Sequence, residues 1–283
     1  MVDFDNLDRP YFIGEIGINH NGDLNLAKKL MDAVSACNWD CAKFQKRNPE
    51  ICVPEHQKSM PKETPWGSMS YLEYKEKIEF GKGEYNALSY YANQKPIDWT
   101  ASVWDIDSLE FIMQYDVPFI KIPSALITNI DLLAEAGKTN KPIIISTGMS
   151  TLQEVDVAVN TLIKSGTKPI IMHTNSSYPA PKEELNLAII PMFKKRYDCV
   201  IGYSGHEEDL EPTVIAAVLG AKVIERHITL SHDMWGTDQK ASLEVVAMDM
   251  LYKRIKDIDL IIGSNKKIVT EREMKVRRKL RGE

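Results

Sequence analysis

Residues 142–166 read PIIISTGMSTLQEVDVAVNTLIKSG and contain, in order, a strand pattern and a helix pattern. The first residues form a continuous β-branched run between a proline and a glycine, as in strands that are buried on both faces of a parallel sheet. Apolar residues then recur at spacings of three and four from Thr151 to Ser165, which is the period of an amphipathic helix. Ser150 is the predicted N-cap, and Gly166 follows the last turn. The stretch therefore predicts one βα unit.

The same alternation of short apolar runs and helical patterns continues in both directions along the chain. Repeated βα units are typical of a parallel sheet covered by helices. Eight such units form a (β/α)8 TIM barrel, an α/β fold that takes about 250 residues as one domain. The chain has 283 residues. The predicted strands are Tyr11–Asn19, Cys41–Lys46, Ile97–Val103, Pro118–Pro123, Pro142–Thr147, Pro169–Thr174, Cys199–Ser204 and Lys222–Ile228.

The end of the chain changes in composition. A last helix is predicted over Ser242–Ile262, so that residues 1–265 form a single TIM-barrel catalytic domain and residues 266–283 a basic C-terminal tail. Between residues 266 and 281 there are eight basic and two acidic residues. Such a run is either an interaction arm or a solvated helix.

Composition places the chain among soluble globular proteins, with 43% hydrophobic and 27% charged residues. The net charge of −5 is a poor match for a nucleic-acid partner. The first ten residues lack an apolar core like that of a signal peptide, and no apolar run approaches the roughly 18 residues of a membrane span. The four cysteines show no paired metal spacing and are expected to be reduced. We predict a cytoplasmic protein.

Residues 48–69 do not fit the regular spacing of the βα units. This segment reads NPEICVPEHQKSMPKETPWGSM and contains four prolines. It is too long for an ordinary βα connection, which makes it a candidate active-site loop after the second strand. The alternative is an insertion without a role in function.

Polar residues collect at the predicted strand ends, where the active sites of TIM barrels lie. Lys43 and Lys121 fall inside apolar strands, where an ammonium group is costly unless it is paired. Together with nearby hydroxyl groups they predict a pocket for a small phosphorylated or carboxylated anion. The alternative is that each lysine forms a structural ion pair, for instance with Glu15 or Glu225. The hydroxyls belong to Ser102, Ser124, Ser146, Ser176 and Ser204.

Two histidines, His206 and His227, end the adjacent strands seven and eight. Their imidazoles could bind one divalent ion such as Mn²⁺, although one of them could equally be a core histidine. No Ser-His-Asp order, P-loop or dinucleotide fingerprint is present, so acyl transfer, ATP hydrolysis and dinucleotide binding lack support. A strand lysine leaves a Schiff-base aldolase open as a competitor.

Seven short motifs, one after another between about residues 10 and 245, resemble the sialic acid synthase family, which includes N-acetylneuraminate synthases and their legionaminate and pseudaminate relatives. Any one of these motifs is weak, whereas seven in the same order are specific. They are FIGEIGINHNG (12–22), KFQ (43–45), KIPS (121–124), STGM (146–149), YPAP (178–181), SGH (204–206) and ERH (225–227).

The resemblance implies an enzyme that condenses phosphoenolpyruvate with the open-chain aldehyde of an amino sugar. N-acetylmannosamine or an analogue would give N-acetylneuraminate or a related sialic acid, with release of phosphate. The family also implies a divalent metal, Mn²⁺ or Mg²⁺, that activates the aldehyde, and a homodimer. Another condensation of phosphoenolpyruvate with an aldose, of the 3-deoxy-octulosonate phosphate synthase type, and a catalytically silent sugar-binding barrel remain alternatives.

The resemblance also assigns roles to individual positions of this sequence. His206 and His227 correspond to the metal ligands, Glu15 to an acid or base that contacts the sugar, and Asp238 to an aspartate that holds sugar hydroxyls. For Asp238 an N-cap of the last helix is an equal alternative. Gln45 and Ser102 are further substrate-binding candidates. The phosphoenolpyruvate shell would comprise Lys43, Lys121, Ser124, Ser146, Ser176, Tyr178 and Ser204.

Three departures from the family pattern are visible. Ala125-Leu126 replaces a common Gly-Glu, and the sequence around Ser102 lacks a common Thr-Pro, which puts the role of Ser102 in doubt. The family usually carries a C-terminal antifreeze-like domain whose arginine reaches the partner subunit's sugar site. We expect the basic tail to be a linker-like remnant of that region.

Overall fold

The computed structural model describes residues 2–282 and confirms the TIM barrel. The strands are β1 (Tyr11–Gly17), β2 (Cys41–Lys46), β3 (Pro61–Thr64), β4 (Gly67–Ser70), β5 (Asp98–Val103), β6 (Ile120–Ile122), β7 (Ile143–Ser146), β8 (Ile170–Thr174), β9 (Ile201–Gly205), β10 (Val223–Thr229) and β11 (Leu243–Glu244). Eight of them, β1, β2 and β5 to β10, are parallel and follow one another in chain order, and β10 pairs with β1 to close the barrel.

Helices cover the outside of the barrel. They turn their apolar faces inward, as the first helix, Leu24–Ala36, does with Leu30 and Val34 against β1 and β2. The helices are α1 (Leu24–Ala36), α2 (Pro49–Cys52), α3 (Glu55–Lys58), α4 (Tyr71–Ile78), α5 (Lys82–Ala92), α6 (Ile106–Ile112), α7 (Ile130–Gly137), α8 (Leu152–Lys164), α9 (Ile189–Arg196), α10 (Glu211–Val218), α11 (Val245–Ile255), α12 (Ile258–Ile262) and α13 (Glu271–Arg281).

The interior of the barrel changes from apolar to polar along its axis. Ile13 and Cys41 belong to an apolar cluster at the N-terminal end of the strands, and Phe4 closes that end by packing against Phe119. Side chains two residues further along a strand point to the same face. Glu15 and Lys43 therefore face the interior at the C-terminal end of the strands.

The predicted helix after β7 is confirmed as α8, but its cap is one residue later than expected. Thr151, not Ser150, is the N-cap. The Thr151 hydroxyl accepts the Glu154 N–H at 3.3 Å, and the Glu154 carboxylate accepts the Thr151 N–H at 2.7 Å. This reciprocal capping box fixes the first turn of α8 at Thr151.

The single last helix predicted over Ser242–Ile262 is wrong. Leu243 and Glu244 are extended, because β11 adds to the end of β10. The Ser242 hydroxyl, which donates to the Asp238 carbonyl at 2.7 Å and accepts from Asn19 at 2.8 Å, holds the chain in this course. A helix then forms only from Val245, and the chain breaks again between α11 and α12.

The basic segment contains α13, whose N-cap Thr270 forms a capping box with Glu273. Its side chains are exposed or half-buried. All four cysteines are unpaired, as predicted. Within residues 2–282 no helix is both long enough and apolar enough to cross a membrane.

Candidate active site

A cavity of about 250 Å³, here called the inner cavity, opens at the C-terminal end of the barrel. The structure brings to it every predicted site residue except Asp238. They come from all eight barrel strands or from the loops that follow them, as the strand-end argument predicts. The inner cavity is lined by Glu15, Lys43, Gln45, Ser102, Lys121, Ser124, Ser146, Ser176, Tyr178, Ser204, His206 and His227, together with Trp104, Ala125 and Glu225.

Two lysines and two glutamates form a buried charge network on the floor of the inner cavity. Lys43 pairs with Glu15. Glu225 Oε1 lies 3.6 Å from the Nζ atoms of both Lys43 and Lys121. The ion pairs that were considered as an alternative are therefore formed, but they do not use every polar atom of the network. Glu225 Oε2 has no hydrogen-bond partner, and Lys121 donates to the Ser146 hydroxyl at 2.7 Å.

The two lysines differ in their electrostatic surroundings. Burial lowers the pKa of Lys121 to about 8, although Glu225 opposes this effect. Burial also acts on Lys43, but the carboxylates of Glu15 and Glu225 outweigh it and raise the pKa. Glu225 is itself buried, and the two ammonium groups keep its pKa below the usual range. Lys43 is thus a fixed cation, whereas Lys121 is the more readily deprotonated of the two lysines.

Hydroxyl groups line the wall of the inner cavity next to Lys121. Ser124 Oγ accepts the Gly148 N–H at 3.0 Å. A Cβ atom at position 148 would lie 2.9 Å from Ser124 Oγ and would overlap Ser176 Oγ. A glycine is needed there so that both hydroxyls can approach the same space. Ammonium and hydroxyl donors around one space suit a phosphate or carboxylate group.

The two predicted metal ligands lie side by side, with ring centres 5.4 Å apart. His206 Nδ1 lies 2.6 Å from the Asn175 carbonyl, so this nitrogen carries the proton. Nε2 then carries a lone pair, and it accepts a hydrogen bond from the Tyr178 hydroxyl at 2.9 Å. Burial, and after it His227, lowers the pKa of His206 to about 3, so the ring is neutral at physiological pH.

The donor set fits a divalent ion with an open coordination sphere. His227 Nδ1 is buried without a hydrogen-bond partner, and the nearest carboxylate oxygen, Asp238 Oδ2, lies 3.9 Å away. Within residues 2–282 no group of three or more His, Cys, Asp or Glu side chains is arranged as metal ligands. With two imidazoles as its protein ligands, a metal ion would have most of its coordination positions open to substrate or water oxygens. Catalytic metal sites have such open positions, whereas structural metal sites do not.

A second cavity of about 340 Å³, here called the outer cavity, adjoins the inner one. The two share Gln45, Trp104, Tyr178 and His227 as lining residues. Residues 48–69 fold into α2, α3 and the β3–β4 hairpin, and this segment contributes Cys52, Val53, Pro54 and Gln57 to the outer cavity. The candidate loop therefore lies beside the inner cavity.

Asp238 lines the outer cavity and does not cap the last helix. It precedes a short 3-10 turn, but its carboxylate accepts no hydrogen bond from that turn. Helix α11 begins only at Val245. The N-cap alternative is therefore wrong, and the carboxylate faces the space beside His227.

Several residues that line these cavities were not predicted from the sequence, and three of them carry a ring or a charge that matters here. Trp104 lines both, and Arg47 and Lys75 line the outer one. Arg47 had a usable signal, since it continues the alternation of Lys43 and Gln45 by two residues. Lys75 had none, because its position in α4 depends on how the segment before it folds.

Comparison with known proteins supplies the family. The NeuB family model matches residues 30–267. N,N'-diacetyllegionaminic acid synthase of Campylobacter jejuni is 35% identical over 274 residues, which are 95% of this chain and 82% of that protein. Human N-acetylneuraminate-9-phosphate synthase is 35% identical over 273 residues, 95% of this chain and 76% of that protein. The solved N-acetylneuraminic acid synthetase of Leptospira borgpetersenii has a TM-score of 0.86 and 30% identity, and the match covers 98% of this chain and 94% of that one.

Proposed function

The chain belongs to the NeuB family, and on that premise we propose that it makes N-acetylneuraminate or a related nonulosonic acid. It is an enzyme that forms a carbon–carbon bond between phosphoenolpyruvate and a sugar. The proposed acceptor is the open-chain aldehyde of an N-acetylhexosamine, N-acetylmannosamine or an analogue. Phosphate is the second product.

One observation supports this reaction above all. The inner cavity combines a cationic, hydroxyl-lined wall at Lys121, Ser124 and Ser146 with a pair of imidazoles at His206 and His227. The first part suits the phosphate and carboxylate groups of phosphoenolpyruvate. The second part suits a divalent ion, Mn²⁺ or Mg²⁺, which would polarise the aldehyde carbonyl when bound.

The reaction joins C3 of phosphoenolpyruvate to the aldehyde carbon, whose oxygen takes up a proton. Water adds at C2, and the bond between C2 and the phosphate oxygen then breaks. Lys43 and Lys121 would hold the anionic substrate while charge develops on it. Glu15 lies against Lys43 and Gln45 and is the candidate proton donor or acceptor next to the sugar.

The test is phosphate release from phosphoenolpyruvate in the presence of Mn²⁺. We expect release only when an aldose is added, with N-acetylhexosamines as the effective acceptors. A panel of hexosamines and pentose phosphates separates the alternatives. Release with pentose phosphates alone favours the octulosonate type of enzyme, and no release with any acceptor favours a silent barrel.

The low pKa of Lys121, about 8, is the observation that keeps a Schiff-base aldolase as the second candidate. That mechanism would form a covalent imine between Lys121 and pyruvate. Borohydride added during turnover with pyruvate would trap it, and mass spectrometry would locate the modified lysine. We expect no adduct, because Lys121 is engaged by Ser146 and Glu225.

Family membership also leads us to propose a homodimer in the cytoplasm. Light scattering should then give a mass near twice the chain mass of 32.1 kDa. A monomer at micromolar concentration would contradict this proposal.

A further inference from the structure

Two buried cations in the outer cavity lack a carboxylate partner. Arg47 and Lys75 are each 8% exposed. Within residues 2–282 neither has a carboxylate oxygen within 4.0 Å, in contrast to both lysines of the inner cavity. A buried cation without a counterion is costly to keep in a folded protein. The cost points to a function that needs the charges free.

Lys75 is held by aromatic rings instead of by an acid. Its ammonium group lies 5.3 Å from the ring centres of both Tyr71 and Tyr74. Burial, and after it the charge of Arg47, lowers the pKa of Lys75 to about 8. Such a cation gains from any anion that enters the cavity.

Arg47 is held in one orientation, but not all of its N–H groups have a hydrogen-bond partner. Its guanidinium group stacks over Trp104, with the central carbon 4.3 Å from the ring centre, and one terminal nitrogen donates to Gln45 Oε1. Its Nε atom is buried and has no hydrogen-bond partner. A guanidinium group held in this way offers donors in a fixed plane, which suits recognition of a phosphate.

The acidic groups around the outer cavity do not neutralise it. Glu79 is already occupied, because it accepts from the Lys46 ammonium group at 2.7 Å and from the Arg47 backbone N–H at 3.1 Å. Asp238 is the one carboxylate in the described lining, and it lies toward His227. Two cations against one carboxylate leave the outer cavity positive.

We propose that Arg47 and Lys75 bind a phosphate monoester on the acceptor sugar, at the end remote from the aldehyde. A hydrogen-bond chain from Glu15 through Gln45 to Arg47 joins the inner cavity to the outer one. Because His227 lines both cavities, a sugar whose aldehyde lies beside it in the inner cavity has the outer cavity next to its other end. This inference rests on the proposed function and specifies its substrate class.

The carbon count of the reaction identifies the phosphorylated position. Phosphoenolpyruvate supplies carbons 1 to 3 of the product, so carbon 6 of a hexosamine becomes carbon 9. A 6-phosphorylated acceptor would thus give a 9-phosphorylated product, the kind of product for which the human relative is named.

The experiment compares N-acetylmannosamine with its 6-phosphate as acceptors for the full-length enzyme. We expect the wild type to favour the 6-phosphate in kcat/KM, and Lys75→Met to lower the ratio of the two kcat/KM values by about 10–100-fold, the effect of one charged hydrogen bond. Lys75→Arg should keep most of the preference. Lys77→Met, which removes an exposed lysine two residues away, should leave the ratio unchanged.

Calorimetric titration of each sugar into the enzyme tests the same subsite without turnover. We expect tighter binding of the 6-phosphate to the wild type and loss of that difference in Lys75→Met and Arg47→Met. Equal binding of both sugars would overturn the inference, whether or not the enzyme turns over. An increase in KM for phosphoenolpyruvate in Lys75→Met, with an unchanged acceptor ratio, would instead assign the cations to that substrate. Product formation from the neutral sugar alone would support the proposed function and reject the phosphate subsite.

Discussion

Gly148 is the residue on which the shape of the anion-binding wall depends. Its missing side chain leaves room for Ser124 Oγ and Ser176 Oγ. We expect Gly148→Ala to displace both hydroxyls and to raise the KM for phosphoenolpyruvate about tenfold, the equivalent of roughly 1–3 kcal/mol of overpacking. Steady-state kinetics at saturating acceptor measure this change.

The matched control is Gly83→Ala, since a Cβ atom at that position meets no atom within 4 Å. It should leave KM unchanged and, because Gly83 lies in the first turn of α5, raise the free energy of unfolding by no more than about 1 kcal/mol. Unchanged affinity for phosphoenolpyruvate in Gly148→Ala would mean that the substrate does not contact this wall.

The buried side chain of His20 should make the stability of the fold depend on pH. The ring is buried, stacks on Phe80 at 4.0 Å between centres, and accepts the Gly22 N–H at 3.1 Å. Burial lowers its pKa to about 3. Below the usual value of 6.5 the unfolded chain binds a proton that the folded chain refuses, so stability falls as the pH decreases from 6.5 toward 3.

We expect His20→Asn, which keeps an acceptor for Gly22, to lose less stability than the wild type between pH 7 and pH 5. The difference should be about 1–2 kcal/mol, since each pH unit contributes up to roughly 1.4 kcal/mol for one such group. Urea unfolding at the two pH values measures it. His56→Asn, which changes an exposed histidine, should follow the wild type.

At the scale of the element, strand β10 contributes side chains both to the inner cavity and to the outside of the barrel. Glu225 and His227 point into the inner cavity, and Arg226 between them points to the outside. Arg226 Nη1 lies 3.0 Å from Glu207 Oε1 and 2.8 Å from Thr213 Oγ1, and Tyr203 donates to the other oxygen of Glu207 at 2.9 Å. This network fixes the connection that follows His206.

We expect Arg226→Met to reduce the free energy of unfolding by about 3–5 kcal/mol, because it leaves the Glu207 carboxylate buried and unpaired. Adding Glu207→Leu should recover part of the lost stability. A double-mutant cycle measured by urea unfolding gives the coupling free energy between Arg226 and Glu207. Arg254→Met, which breaks an exposed ion pair with Glu211, should cost less than about 1 kcal/mol. A similar small cost at Arg226 would show that β10 does not depend on this network.

The eight barrel strands were predictable because each is a short buried run between prolines, glycines or polar residues. Their inward-facing ends then followed from alternation, which is why Lys43, Lys121 and His227 were found together. The course of residues 242–262 was not predictable, since it depends on contacts from Asn19 and on pairing with β10, far away in the sequence. Lys75 was missed for the same reason.

At the scale of the whole molecule, the apolar core and the candidate metal ligands occupy different parts of the barrel. The core lies below the polar end and between strands and helices. His206 directly follows β9 and is held by the Asn175 carbonyl, and His227 lies in β10, where it pairs with Glu15 of β1. The fold therefore does not need a metal ion to place its ligands, in contrast to small domains that fold around zinc.

We expect a chelator to abolish phosphate release from phosphoenolpyruvate and to change the thermal midpoint by less than about 2 °C, since the core that sets stability is untouched. Added Mn²⁺ should restore the activity, and His206→Ala should lose it without recovery.

The control is Lys77→Met, which should respond to chelator and Mn²⁺ as the wild type does. Activity that persists in His206→Ala with chelator present would reject the metal site, and a large loss of thermal stability on chelation would mean that the ion is part of the fold. The two readouts separate catalysis from folding because the apolar cluster around Phe4, Ile13 and Phe119 lies at one end of the barrel and the two histidines lie at the other.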